Sequence, residues 1–169
     1  MAALQTGWRQ EMDGRIKVAG YVKLAKLWEK RREEAMRYHQ KYYSDRFPDN
    51  GEFELVDVYV DKTGSKQTIK RGEMVRLLKD CADGKVQCIA TQTRGYLAAN
   101  TQEFCYLVKM LFDMGIHLIT EDETYHIDTI RDTDGQKAAL YKMAEDFIGL
   151  DPERYSAWRE KIAGEIRRI

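Results

Sequence analysis

Four short apolar runs rich in β-branched residues punctuate this chain, and stretches of helical periodicity separate them. The runs are residues 16–22 (IKVAGYV), 53–60 (FELVDVYV), 86–91 (VQCIAT) and 116–120 (IHLIT). Apolar runs of about 4–8 residues bounded by turn signals read as buried strands. Strands that alternate with helices return to the sheet in the same direction through crossovers, which gives parallel pairing. The expected fold is therefore α/β, a three-layer α/β/α sandwich around a central, mostly parallel sheet of four to five strands. Residues 124–128 are the candidate for a short fifth strand.

The helices follow from 3.6-residue periodicity. In 24–43, Leu24, Leu27, Trp28, Ala35, Tyr38 and Tyr42 share roughly one face, and Lys30 to Glu34 form a mixed-charge solvated face. In 72–82, Val75, Leu77, Leu78 and Cys81 face inward, with Gly84 as the stop. Thr101 is the expected N-cap of a helix carrying Phe104, Leu107, Val108, Leu111 and Phe112, ended by Gly115. Thr133 or Asp134 is the expected cap of a helix running to 147, and 149–152 (GLDP) breaks the chain. From about 153 onward, Tyr155, Trp158, Ile162, Ile166 and Ile169 recur at spacings of three and four, the seam of a helix that packs on another helix. Three parts result: a lead-in over 1–14, the α/β domain over 15–150, and a C-terminal amphipathic helix over 151–169 that reads as an oligomerisation element. The same stripe would also be satisfied by folding back on its own domain, since it demands only an apolar partner.

Composition excludes several classes of function. The 169 residues carry 28 Lys+Arg against 28 Asp+Glu, which argues against a free-standing basic nucleic-acid binder. Mean hydropathy is −0.62, no run approaches the ~18 apolar residues of a membrane span, and residues 1–14 lack the apolar stretch of a signal peptide. A cytoplasmic address is expected. Cys81, Cys88 and Cys105 and the histidines 39, 117 and 126 lack zinc-ligand spacing, so no metal is expected and the thiols read as reduced and buried. Neither G-x-G-x-x-G nor G-x-x-x-x-G-K-[ST] nor G-x-S-x-G occurs, so no cofactor is expected.

In an open α/β sheet, ligands bind beyond the carboxyl ends of the strands, which here brings together loops starting near Lys23, at Asp61 and at Gln92. Five segments in and around those loops, in order and at near-constant spacing, carry a resemblance: VAGYVKLA (18–25), the run from Phe53 to Val86, IATQTRGYLAANT (89–101), FCYLVKMLFDMGIHLIT (104–120) and HIDT (126–129). From about residue 17 to about 147 the chain resembles the catalytic domain of serine recombinases of the resolvase/invertase type, most closely the N-terminal domain of large serine integrases. The resemblance implies a serine hydroxyl that attacks a DNA phosphodiester, with arginine forks stabilising the charge that develops on the phosphate.

At the positions that would carry this chemistry the sequence departs from the family. The family's first strand ends Tyr-x-Arg-x-Ser, and here Tyr21, Lys23 and Ala25 stand there. The family's third loop reads Asp/Ser-Arg-x-x-Arg-Asn, and here Gly95, Tyr96 and Ala99 occupy the acidic and two arginine positions ahead of Asn100. Arg94 lies two residues out of register. Asp61 and Arg71 stand at their matching positions. A methyl group cannot attack phosphorus, and an arginine at such a transition state contributes about 10³–10⁵ in rate. The sequence therefore reads as a degenerate pocket with no catalytic residues, in a module that associates with itself or with a recombinase-like protein. The alternative is an accessory DNA-binding role, with weak phosphate contacts from Arg159, Lys161, Arg167 and Arg168. Two further readings are an enzyme using another serine (Ser44, Ser65 or Ser156), and a small-molecule-binding domain with only the shape of the family.

Overall fold

A computed structural model describes residues 14–25, 31–49, 51–124 and 126–169. Its elements are β1 (Ile16–Leu24), α1 (Arg32–Arg46), β2 (Phe53–Lys62), a 3-10 turn (Thr68–Lys70), α2 (Gly72–Ala82), β3 (Cys88–Thr91), α3 (Arg94–Leu97), α4 (Thr101–Asp113), β4 (His117–Thr120), β5 (Ile127–Asp128), α5 (Gln136–Ile148) and α6 (Pro152–Arg167). The strands form one sheet in the order β2-β1-β3-β4-β5, parallel throughout except for β5, which runs antiparallel to β4.

Alternation along the strands divides the core in two, because successive side chains point to opposite faces. Ala19, Tyr21, Tyr59, Ile89 and Leu118 face the layer containing Met74, Leu77 and Leu78 of α2 and Leu107, Val108 and Leu111 of α4. Leu140 and Ala144 of α5 and Ile162 of α6 join that cluster. Val18, Val22, Val58, Val60, Cys88 and Ala90 face the opposite layer, where α1 contributes Ala35 and Tyr43. Gly20 is required by close approach: a Cβ there would lie 2.7 Å from the ring of Tyr43, whose hydroxyl donates to the Tyr21 carbonyl at 3.1 Å. Gly20→Ala must displace that ring, and a loss of about 1–3 kcal/mol is expected in a urea titration.

Several local expectations are corrected. Leu24 lies in β1, which runs two residues past Val22, and Leu27 and Trp28 lie outside the described residues. Helix α1 buries Ala35, His39 and Tyr43, while Tyr38 is 58% exposed. The face that wins is the one placing Tyr43 over Gly20, a contact between distant segments that periodicity does not contain. Asn100, not Thr101, caps α4, its side chain accepting from the Glu103 amide at 2.9 Å. Neither Thr133 nor Asp134 caps α5; Gly135 precedes the helix in the left-handed region, and Asp132 accepts from the Lys137 amide at 2.9 Å. The three cysteines are free and buried.

The stripe of α6 is largely used within the chain. Tyr155 and Ile162 are buried, Trp158 and Ile166 pack partly against the core, and Ile169 is 60% exposed. Among the described residues, no helix is long and apolar enough to cross a membrane.

Candidate functional site

Sheet register builds the root of the site. Tyr21 of β1 sits opposite Tyr59 of β2 and Thr91 of β3, and Lys23 opposite Asp61. Residues two apart share a face, so Tyr21 and Asp61 project to the same side, beneath the start of α2. The Tyr21 hydroxyl donates to Asp61 Oδ2 at 2.7 Å. The same carboxylate accepts the amides of Glu73 and Met74, both at 2.9 Å, and so caps α2 from a distant strand.

Arg71 completes this root and faces inward. It is 1% exposed. Its Nη1 donates to the Tyr96 carbonyl at 2.9 Å and to the Tyr21 hydroxyl at 3.4 Å. Its Nη2 donates to the Leu97 carbonyl at 2.6 Å and to Thr68 Oγ1 at 3.1 Å. The remaining donor, Nε, is buried with no partner among the described residues. The guanidinium thus ties β1, the 3-10 turn and α3 together, and the terminal nitrogens that a phosphate would need are occupied by the chain itself.

The rim is built differently. A cleft of about 630 Å³ opens where β1 ends, lined by Lys23, Leu24 and Ala25, by α1 and its lead residue Arg31, and by Gln92 and Tyr96 after β3. Lys23 is half-buried; burial, then the charges of Arg71 and Lys66, hold its ammonium below the ordinary lysine value. Tyr96 is raised by burial and by neighbouring Tyr38. Among the described residues, Gly95 and Ala99 are exposed and do not line the cleft. Arg94 is engaged elsewhere, with its Nε 3.5 Å from Asp122. Against the upward pull of burial, hydrogen bonds from Thr93 and the Arg94 amide keep Asp122 below the ordinary carboxylate value. The structure therefore joins Tyr21, Asp61, Arg71 and the Tyr96 backbone in one network, places Lys23, Ala25 and the Tyr96 side chain at the cleft, and leaves Gly95 and Ala99 outside both.

Periodicity misses Glu103. This carboxylate is buried in α4, and Oε1 accepts the Thr68 amide at 2.9 Å and Trp158 Nε1 at 3.3 Å. It links α6 to the turn that carries Arg71. The sequence marks it only as an acid in the first turn of a helix, a place where an acid needs no buried partner.

Burial lifts the phenols of Tyr21 and Tyr43 well above their ordinary value; for Tyr21, Arg71 opposes the rise and Asp61 adds to it. Above about pH 10 the unfolded chain releases these protons and the folded chain keeps them. The stability they contribute is complete below that pH. It falls as pH rises, by about 1.4 kcal/mol per pH unit for each phenol. Urea midpoints across the alkaline range should show this decline, and Tyr21→Phe should flatten it by one phenol's share. An unchanged slope in that variant would mean Tyr21 ionises freely in the fold.

A five-stranded, mostly parallel sheet between helical layers, with its loops gathered at the ends of β1, β2 and β3, defines a resolvase-like domain. The chain belongs to the family described as "Resolvase, N terminal domain", whose model matches residues 30–150. Among solved structures it is similar to a resolvase family site-specific recombinase from Streptococcus pneumoniae, at 18% identity and a TM-score of 0.56, covering 92% of this chain and 100% of that one. It is also similar to the N-terminal catalytic domain of TP901-1 integrase, at 16% identity and a TM-score of 0.53, covering 81% and 97%. No curated protein matches the chain.

Proposed function

We propose that this domain does not cut DNA and works instead as a protein-interaction or regulatory module of mobile-element origin, associating with a second copy or with an active recombinase. The observation that carries the reading is the direction of Arg71. Its Nη1 and Nη2 are bonded to protein oxygens and its Nε is buried. With Ala25 and Tyr96 where the resemblance expects a nucleophile and an arginine, the family's attacking oxygen and one of its guanidinium forks are missing, and the fork of Arg71 is turned into the fold.

The test is a denaturing trap for covalent protein–DNA adducts, using the purified chain with supercoiled plasmid and pooled duplexes. No adduct and no nick are expected, from this chain or from Ala25→Ser, because the restored hydroxyl would still lack the arginines that the resemblance expects at Tyr96 and Ala99. An adduct with either protein would sink the reading.

A second reading has its own support. Arg159, Lys161, Arg167 and Arg168 are all exposed, and only Arg168 has an ion-pair partner among the described residues, Glu165 at 3.0 Å. An accessory DNA-binding role would use the other three. Sedimentation with and without a short duplex separates the two. A dimer indifferent to DNA favours the interaction module. Uptake of DNA, with log affinity falling against log salt by about 0.9 per phosphate contacted, favours the accessory role.

A further inference from the structure

We infer that the cleft at the end of β1 is a binding site for a free aromatic anion of nucleoside-monophosphate size. The proposal goes beyond the reading above and concerns a small molecule, so it stands whether or not the chain acts on DNA.

The argument starts from shape and lining. About 630 Å³ lies within the range of roughly 300–1,000 Å³ typical of small-molecule sites. The floor is apolar, from Leu24, Ala25 and Ala35. Two tyrosines from different elements line it, Tyr38 from α1 and Tyr96 from α3, and Gln92 Nε2 lies 3.5 Å from the Tyr38 hydroxyl. Aromatic side chains flanking an apolar floor provide a stacking platform for a planar ring.

Charge chooses the rest of the ligand. Lys23 and Arg31 line the cleft, and neither has an ion-pair partner among the described residues. Among the described residues, the lining sets the two cations Lys23 and Arg31 against one acid, Glu34. Burial, then the charges of Arg71 and Lys66, outweigh the pull of Asp61 and disfavour the Lys23 cation, and a bound anion would favour it. No glycine-rich loop cradles a phosphate here, so side-chain cations would hold it.

The residues that differ from the family pattern change the pocket in one direction. Ala25 stands in place of a hydroxyl and Tyr96 in place of a guanidinium, while Lys23 keeps a single charge. A surface suited to a strand of phosphates becomes one suited to a ring with one anionic group.

The test is calorimetric titration of the full chain at low salt with the monophosphates of adenosine, guanosine, cytidine and uridine, and with inorganic phosphate. At least one nucleotide should bind, and inorganic phosphate at least tenfold more weakly, on the order of the loss of one base–aromatic stack. Tyr38→Ala, at an exposed position, should weaken the nucleotide by about tenfold without changing the urea midpoint. Ala25→Trp, which fills the cleft, should abolish binding. The proposal is overturned if no nucleotide binds at millimolar concentration, if inorganic phosphate binds as tightly as the nucleotides, if Tyr38→Ala leaves affinity unchanged, or if duplex DNA binds where free nucleotides do not.

Discussion

Arg71→Met should destabilise the domain by about 3–5 kcal/mol, the usual consequence of removing one member of a buried charged network. Methionine nearly fills the volume but donates nothing. The carbonyls of Tyr96 and Leu97 and the Thr68 hydroxyl lose their donor in a buried setting, and each uncompensated group is itself costly. The Asp61 carboxylate keeps Tyr21 and two amides but loses the nearby cation. Arg71→Lys keeps the charge and loses the fork, so it should fall between methionine and the parent. Urea denaturation of these variants, with Asp61→Asn in a double-mutant cycle, should give non-additive losses because Tyr21 touches both residues. A methionine variant with the parent midpoint would show that the guanidinium is not a structural tie, and would reopen a role for it in chemistry.

The second large effect is expected at Ile162. This side chain is fully buried where α6 meets the core cluster of α2 and α4. Ile162→Asp removes apolar contact and offers a carboxylate no partner, so α6 should detach before it buries the charge. The loss is then bounded by the docking energy of the helix, on the order of 3–5 kcal/mol from Ile162 and its stacked neighbours Tyr155 and Trp158. Detachment frees the already exposed turn at 149–151 to unfold locally, which raises its cleavage by limited proteolysis, and deprives the Thr68–Glu103 contact of Trp158. Were the stripe instead an interface between copies, the same substitution would turn a dimer into a monomer with little change in the proteolysis of that turn. Sedimentation and proteolysis of one variant therefore separate the two uses of the helix.

What the sequence makes legible follows from which interactions are local. The α/β alternation is set by short-range pattern, and β2, α2 and β4 fall within about two residues of their expected bounds. Helix α2 is the clearest case, because its inward stripe and the Gly84 stop both lie within a few turns. The expected face of α1 is corrected because its orientation is chosen by Gly20, far away in the chain. The same division runs through the site. Tyr21, Asp61 and Arg71 stand out in sequence only through resemblance. That Arg71 turns inward to two carbonyls depends on how α3 crosses the turn at 68–70, and no residue near it announces that. The burial of Glu103 and of His39 is invisible for a related reason. Each looks like an ordinary helix residue until a distant segment is laid against it.

The burial of Arg71 also determines how such a pocket can decay. Gly95 and Ala99 are solvent-facing and outside the network, so replacement there leaves the fold intact. Tyr21, Asp61 and Arg71 hold strand, helix cap and turn in one piece, so replacement there costs the fold itself. Drift is free at the outer positions and blocked at the inner ones. In a domain of this architecture, retention of Tyr21, Asp61 and Arg71 therefore attests to foldedness and does not by itself attest to turnover.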